Sequence, residues 1–315
     1  MPTGPSTVPR LLRRTLAAGA VAGALGLGYA GGVELRWFAL RTVDLPVLPA
    51  GSRPLKVLHV SDLHMTPWQR RKQEWLRGLA SLEPDLVVNT GDNLAHMRSV
   101  PVVLDAFDGL LDVPGVFVMG SNDYFSPTTR NPARYLLPDD GQRNVHTAPL
   151  PWRELRDAFL ARGWRDLDNR CDHITVGGVR IALAGVDDAH LGYDDLAAVA
   201  GPADASADLR VAVTHAPYLR VLDQFARDGY DVTIAGHTHG GQLCLPGKGA
   251  LVTNCDLDPA RAKGLHRHPA HAPVDAPGSS WLHVSAGLGT SPYAPFRFCC
   301  RPEATLLTLT ACPVS

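Results

Sequence analysis

The chain has 315 residues, 45% of them hydrophobic, with 30 Lys and Arg set against 31 Asp and Glu. That supplies the core of one large or two small domains. A net charge of −1 and the lack of a clustered basic run exclude nucleic acid as a main partner, because phosphate-backbone binding draws on grouped Lys and Arg. The six cysteines are scattered, with Cys299 and Cys300 adjacent and no Cys-x-x-Cys pair, so they carry no metal or redox assignment.

Residues 1–14 are polar or proline-bearing and include Arg10, Arg13 and Arg14, while 15–33 are an almost unbroken run of Ala, Gly, Leu and Val. This reads as a signal peptide or a transmembrane anchor. Glycines at 19, 23, 26, 28, 31 and 32 argue against a buried helix of a soluble core. Gly28-Tyr29-Ala30 offers a cleavage point, Arg13-Arg14 is compatible with a twin-arginine signal, and the run is also long enough to span. The favoured reading is membrane-associated or exported, with the Arg cluster inside and the catalytic domain extracytoplasmic. Residues 34–54 form a linker with partial alternation over 37–47, a possible first strand.

From residue 55 the pattern changes to apolar, β-branched runs that each empty into polar residues. The run 56–60 leads to Asp62 and His64, two potential metal ligands that an extended chain turns to the same side. The run 85–88 reads as a strand buried on both faces and leads to Gly91-Asp92-Asn93, in the crevice where α/β sheets bind ligands. Taken alone, that triplet is also an ordinary turn. The run 116–119 ends in Gly120-Ser121-Asn122-Asp123, 209–213 in Thr214-His215, and 231–235 in Gly236-His237-Thr238-His239. Amphipathic helices over 69–81 and 100–111, a helix over 152–162, a Gly177-Gly178 hairpin over 174–183 and closing strands at 281–285 and 304–310 complete an α/β alternation.

Three further stretches read as surface. Residues 131–151 are a loop that shapes substrate choice, Asp187-Asp188-Ala189-His190 is a turn or substrate-side feature, and the His-bearing stretch 266–277 is an exposed loop rather than a second metal site. A lone Asp-x-His is unremarkable, whereas five strand ends of this kind define a candidate metal site.

The order Asp62-x-His64, Gly91-Asp92-Asn93, Gly120-x-Asn122-Asp123, His215, Gly236-His237-Thr238-His239 resembles the calcineurin-like metallophosphoesterase superfamily. The likeness runs over 55–315, and the ending with Gly240-Gly241-Gln242 and Arg301-Pro302-Glu303 is similar to its exported or membrane-associated bacterial branch. The resemblance implies a four-layer α/β/β/α sandwich of two mixed sheets flanked by helices. It implies that Asp62, His64 and His239 hold one metal, that His215, His237 and an Asn hold another, and that Asp92 bridges them. Two ions drawn from Mn, Fe, Zn or Ni would activate a shared water for in-line attack on phosphorus and offset the charge that develops there.

One block departs from the family pattern Gly-Asn-His-Asp/Glu. Without a gap, Ser121 replaces the metal-binding Asn and Asn122 the His that assists the leaving group; with a one-residue shift, Asn122 stays the ligand. Asn122 is the preferred ligand, since an amide oxygen binds metal better than a neutral hydroxyl. On either alignment the usual general acid is missing, leaving Asp123 or His96 to protonate the leaving group, or a preference for good leaving groups. The sequence therefore reads as a metal-dependent hydrolase of a phosphodiester, phosphomonoester or pyrophosphate, with Asp92, Asn122 and Asp123 as catalytic residues. Its substrate is a phosphorylated small molecule or is lipid-linked, with the membrane met through the N-terminal segment. The alternative is a degenerate scaffold that binds metal or a phosphorylated ligand without turnover.

Overall fold

Apolar runs too short for helices and bounded by Gly, Pro and Asp become strands here, and their buried pattern decides where they go. In chain order the strands are β1 (Ala39–Leu48), β2 (Leu55–Val60), β3 (Leu86–Asn89), β4 (Gly115–Phe117), β5 (Arg165–Asp166), β6 (Arg170–Val176), β7 (Val179–Val186), β8 (Leu209–Thr214), β9 (Val232–Ala235), β10 (Cys244–Leu245), β11 (Gly249–Ala250), β12 (Gly264–His268), β13 (Ser280–Val284) and β14 (Glu303–Ala311). The structure, a computed structural model, describes residues 10–129, 137, 141, 143, 145–273 and 276–312.

Two six-stranded sheets form, in the orders β1-β14-β2-β3-β4-β5 and β12-β13-β9-β8-β7-β6. Strands β2 to β5 run parallel in the first, and β7, β8, β9 and β13 run parallel in the second. The pairs β14–β2, β12–β13 and β6–β7 are antiparallel, so both sheets are mixed. The ligand-bearing strand ends of both sheets are thereby brought to one rim.

The sheets face each other across Leu45, Val57, Val88, Val116, Ile181, Val211, Ile234 and Leu307. Every residue of β3 and β9 is buried, which is why those runs lack alternation. Helices α2 (Arg70–Gly78), α3 (Val100–Phe107) and α5 (Trp152–Ala161) cover the first sheet, through Leu76, Val103, Phe107, Leu155 and Phe159 packed on Leu58, Val87 and Phe117. Helix α7 (Leu219–Asp228) covers the second, with Val221 and Phe225 against Ala184 and Ala212 and Leu222 against Leu282 and Val284. The four-layer α/β/β/α sandwich expected from the sequence is the architecture observed.

Strand β1, the possible first strand of the 34–54 segment, pairs in parallel along β14. One boundary differs from the sequence reading. Residues 264–268 form edge strand β12 rather than a loop, with His268 buried and 2.8 Å from Asp223 Oδ1. The loop over 131–151 lies largely outside the described residues.

The N-terminal apolar run is helix α1 (Arg10–Gly28), continued by further helical turns. Within Leu12–Arg36 an 18-residue window has a mean hydropathy of 1.5 and is 6% buried, long and apolar enough by length and composition to cross a membrane. Its far end is docked on the sandwich. Glu34 is buried and accepts the Cys299 and Cys300 N–H groups at 3.0 and 2.5 Å, Arg297 N donates to Ala30 O at 3.1 Å, and Tyr29 packs edge-on against Phe298.

At Gly115 the first sheet touches the indole of Trp164 so closely that a Cβ would lie 2.3 Å from the ring. Gly115→Ala is expected to cost about 1–3 kcal/mol through overpacking. Thermal unfolding followed by circular dichroism checks this, and an unchanged melting temperature would contradict the packing.

Candidate metal centre

The rim is built from strand ends that bend sharply. Asp62, His64, Asp92, His237 and His239 all have positive φ, between 40° and 68°, a left-handed conformation that costs an L residue about 1–2 kcal/mol. Asp62 and His64 therefore converge through turns, not through the extended backbone that the sequence reading assumed. The turns are held by backbone bonds across the rim, Asp62 N to Gly91 O and His64 N to Asp92 O, each 2.9 Å.

Ligand atoms of Asp62, His64, Asp92 and His239 lie within 4.8 Å of one another. His64 Nε2 is 3.2 Å from His239 Nε2 and 3.5 Å from Asp92 Oδ2, and His239 Nε2 is 3.7 Å from Asp62 Oδ1. The other oxygen of Asp92 faces a second group. His215 Nε2 is 3.6 Å from Asp92 Oδ1, and His237 Nδ1 is 3.3 Å from His215 Nε2. Asn122 closes this side, its backbone N 2.7 Å from Asp92 Oδ1 and its Nδ2 2.8 Å from Asp92 Oδ2.

The donor chemistry fits metal ions. His215 Nδ1 is 2.6 Å from Thr90 O, His239 Nδ1 is 3.0 Å from Gly289 O and His237 Nε2 is 3.0 Å from Asn254 O. Each carbonyl claims one N–H, so that in the neutral imidazole the inward nitrogen has the lone pair for a cation. Burial pushes Asp62 up to about 6 and His64 down to about 4. Burial also lowers His215, but Asp92, Asp188 and Asp62 outweigh it and raise that imidazole to about 9. Buried carboxylates short of positive charge, next to imidazoles with inward lone pairs, are the setting a first-row divalent cation relieves.

Two expectations about the departing block do not match the geometry. Asp123 is fully buried, and its carboxylate accepts backbone N–H groups from Gly120, Asp92, Asn93 and Leu94 at 2.8–3.2 Å. It shapes the Asp92 turn and does not line the cleft. His96 packs edge-on against Trp68 and takes the Arg98 N–H at 3.1 Å, also outside the cleft lining. Neither is placed to hand a proton to a leaving group.

The cleft is lined by His64, Asp92, Asn122, His237 and His239, with Ser121 beside them. It is also lined by His190, whose ring centroid is 4.5 Å from that of His237 and whose Nδ1 is 3.1 Å from Tyr218 Oη. The sequence reading left His190 as a turn or substrate-side residue. The available signal was its position directly after β7, as the other site residues follow β2, β3, β8 and β9.

Fold and site together define a metal-binding α/β sandwich. The model of the calcineurin-like phosphoesterase family matches residues 55–241, more than half of the chain, and the chain belongs to that family. It is 25% identical to phosphodiesterase YaeI of Escherichia coli over 95% of this chain and 98% of that protein. It is also 25% identical to the metallophosphoesterase YkuE of Bacillus subtilis, covering 93% of each. A transmembrane protein with a metallophosphoesterase domain from Bos taurus is 27% identical, over 87% of this chain and 58% of that protein.

Because the metal-free His215 is raised to about 9, it is protonated at pH 7 and must lose that proton to become a ligand. Metal binding is expected to release a proton near neutrality, and affinity is expected to rise as pH climbs toward 9. Calorimetric titration in buffers of different ionisation enthalpy measures both, and binding with no proton release at pH 7 would contradict the assignment.

Proposed function

We propose that this phosphoesterase holds two metal ions, one at Asp62, His64 and His239 and one at His215, His237 and Asn122, with Asp92 shared between them. The observation that carries the reading is Asp92, whose two oxygens face separate histidine groups at 3.5 and 3.6 Å. When bound, such ions supply an activated water and neutralise the phosphoryl oxygens in an in-line displacement. The chain's own part is to fix the donors. Asp92 is immobilised by Asn122 from the cleft side and by its turn from behind, and the inward nitrogens are set by backbone carbonyls.

Asn122, not a histidine, stands beside Asp92 at the cleft wall, so leaving groups that depart without protonation are favoured. A phosphodiester substrate is supported by the name of the Escherichia coli relative. Membrane association is supported by the apolar N-terminal helix and by the relative named as a transmembrane protein. The docked end of that helix contacts residues 297–300, which follow the cleft-lining Ser291, Tyr293 and Ala294. That proximity favours a lipid-linked or envelope phosphate over a freely diffusing one, and Arg10, Arg13 and Arg14 ahead of the helix favour an extracytoplasmic catalytic domain.

The full chain, purified in detergent and stripped by chelation, is expected to regain hydrolysis of an aryl phosphodiester on addition of Mn, Zn, Fe or Ni. Asp92→Ala should hold activity at the metal-free level. Aryl esters should exceed alkyl esters by about 10²-fold or more, the scale of a missing general acid. Metal uptake without turnover of any phosphoester would instead indicate a binding scaffold.

A further inference from the structure

Behind Asp62, on the side away from the cleft, a row of polar side chains crosses from the first sheet to the second. Ser61 Oγ lies 2.5 Å from Asp62 Oδ2, Thr90 Oγ1 2.6 Å from Ser61 Oγ, and His59 Nε2 2.9 Å from Thr90 Oγ1. His59 Nδ1 lies 3.0 Å from Nδ1 of His283, on β13 of the opposite sheet. None of these residues is more than 1% exposed. Burying polar groups in this way costs free energy unless every donor meets an acceptor, and no step at the cleft uses them.

The direction of every bond follows from the end of the row. An ionised Asp62 can only accept, so Ser61 donates to it. The Ser61 oxygen then accepts the Thr90 hydroxyl proton. Thr90, its proton spent, accepts from His59 Nε2–H. A neutral His59 protonated at Nε2 has a bare Nδ1, which accepts from His283 Nδ1–H. Both imidazoles are neutral: burial holds His59 well below its ordinary value and His283 at about 3.

We propose that His283, His59, Thr90 and Ser61 are positioning residues for the metal centre, forming a one-directional hydrogen-bond chain that fixes the rotation of the Asp62 carboxylate. The inference rests on Asp62 being a metal ligand. With Oδ2 tied to the chain, Oδ1 is left turned toward His239 Nε2, 3.7 Å away. The same carboxylate takes His237 N–H at 3.1 and 3.2 Å, so the row also registers the loop carrying His237 and His239. Gly236 shows how closely that loop is seated, because a Cβ there would fall 1.9 Å from Ser61 Oγ and 2.9 Å from Thr90 Oγ1.

The test uses the full chain in detergent, with zinc or manganese as the probe and binding read by calorimetry independently of turnover. Thr90→Val keeps the shape and removes the hydroxyl; it is expected to weaken metal binding about 10- to 100-fold, the usual cost of losing an outer-shell partner. Thr90→Ser, which keeps the hydroxyl, should restore most of that loss, and Ser61→Ala should weaken binding in the same direction. Nitrogen-15 spectra of histidine-labelled protein should show His59 as the neutral Nε2–H form and His283 as the neutral Nδ1–H form. Wild-type affinity in Thr90→Val or Ser61→Ala, equal impairment of Thr90→Ser and Thr90→Val, or the opposite His59 tautomer would overturn the proposal. If Thr90→Val fails to fold, Ser61→Ala and the wild-type tautomers decide alone. A wild-type chain that takes up no metal would remove the site reading itself, a result distinct from a normal wild type with unimpaired variants.

Discussion

The Asp123 carboxylate, buried and receiving four backbone N–H groups, is the constraint on which the metal centre depends. Those donors belong to Gly120, Asp92, Asn93 and Leu94, so one side chain joins the turn after β3 to the turn after β4. It adds to the backbone bonds from Asp62 and His64 in holding Asp92 in a left-handed conformation that L residues avoid. With it, the oxygens of Asp92 are carried to the place where donors from the two sheets meet. Burial and the Asp92 charge nearby push Asp123 itself up to about 7, against the N–H groups that favour its charged form. A cation on Asp92 would ease that repulsion, so occupancy of the centre and order in the turn support each other.

A second brace comes from the opposite side of the rim. Arg297 is fully buried and donates to the carbonyls of Ala286, Gly287 and Gly289 at 2.7, 3.1 and 2.7 Å. Gly289 O also faces His239 Nδ1, and Gly289 N donates to Asp62 O. The Arg297 backbone N–H meanwhile bonds Ala30 at the end of the apolar helix. Three hydrogen bonds, Ala30 to Arg297, Arg297 to Gly289 and Gly289 to His239, therefore link that helix to a metal-site histidine. The N-terminal segment is thus part of the unit that shapes the site, and more than a tether for it.

Much of the fold was legible because burial on both faces leaves a strong trace: β3 and β9 are buried throughout, β8 is apolar but for Arg210 and Thr214, and each is followed by the residues that reach the site. Helix α7 is not among the elements read from the sequence although Val221, Leu222, Phe225 and Ala226 have helical spacing, because its ten residues follow directly on the His215-Ala216-Pro217 turn. Strand β12 was hidden by its composition, since His266 and His268 look like loop residues until strand pairing with β13 is seen. At the site, residue types at strand ends sufficed for the donors that converge. The roles of Asp123, His59, Thr90, His283 and Arg297 were not legible, because each acts through backbone groups or partners distant in sequence.

The centre is costly to fold. Asp62, Asp92, Asp123 and Asp188 are all buried within the same rim, and five of its residues hold left-handed backbone. Among the described residues Asp188 Oδ2 and His64 Nδ1 meet no hydrogen-bond partner, so the polar accounting within them is incomplete. Such a cluster persists because two mixed sheets, closed on each other by an apolar interface, leave their strand ends little freedom to move. Rigid strands set where the donors begin, carbonyls and carboxylates set where they point, and cations would supply the charge that the protein interior cannot. The stability given up at the rim is what gathers buried donors short of positive charge, and the apolar layers are what allow it to be given up.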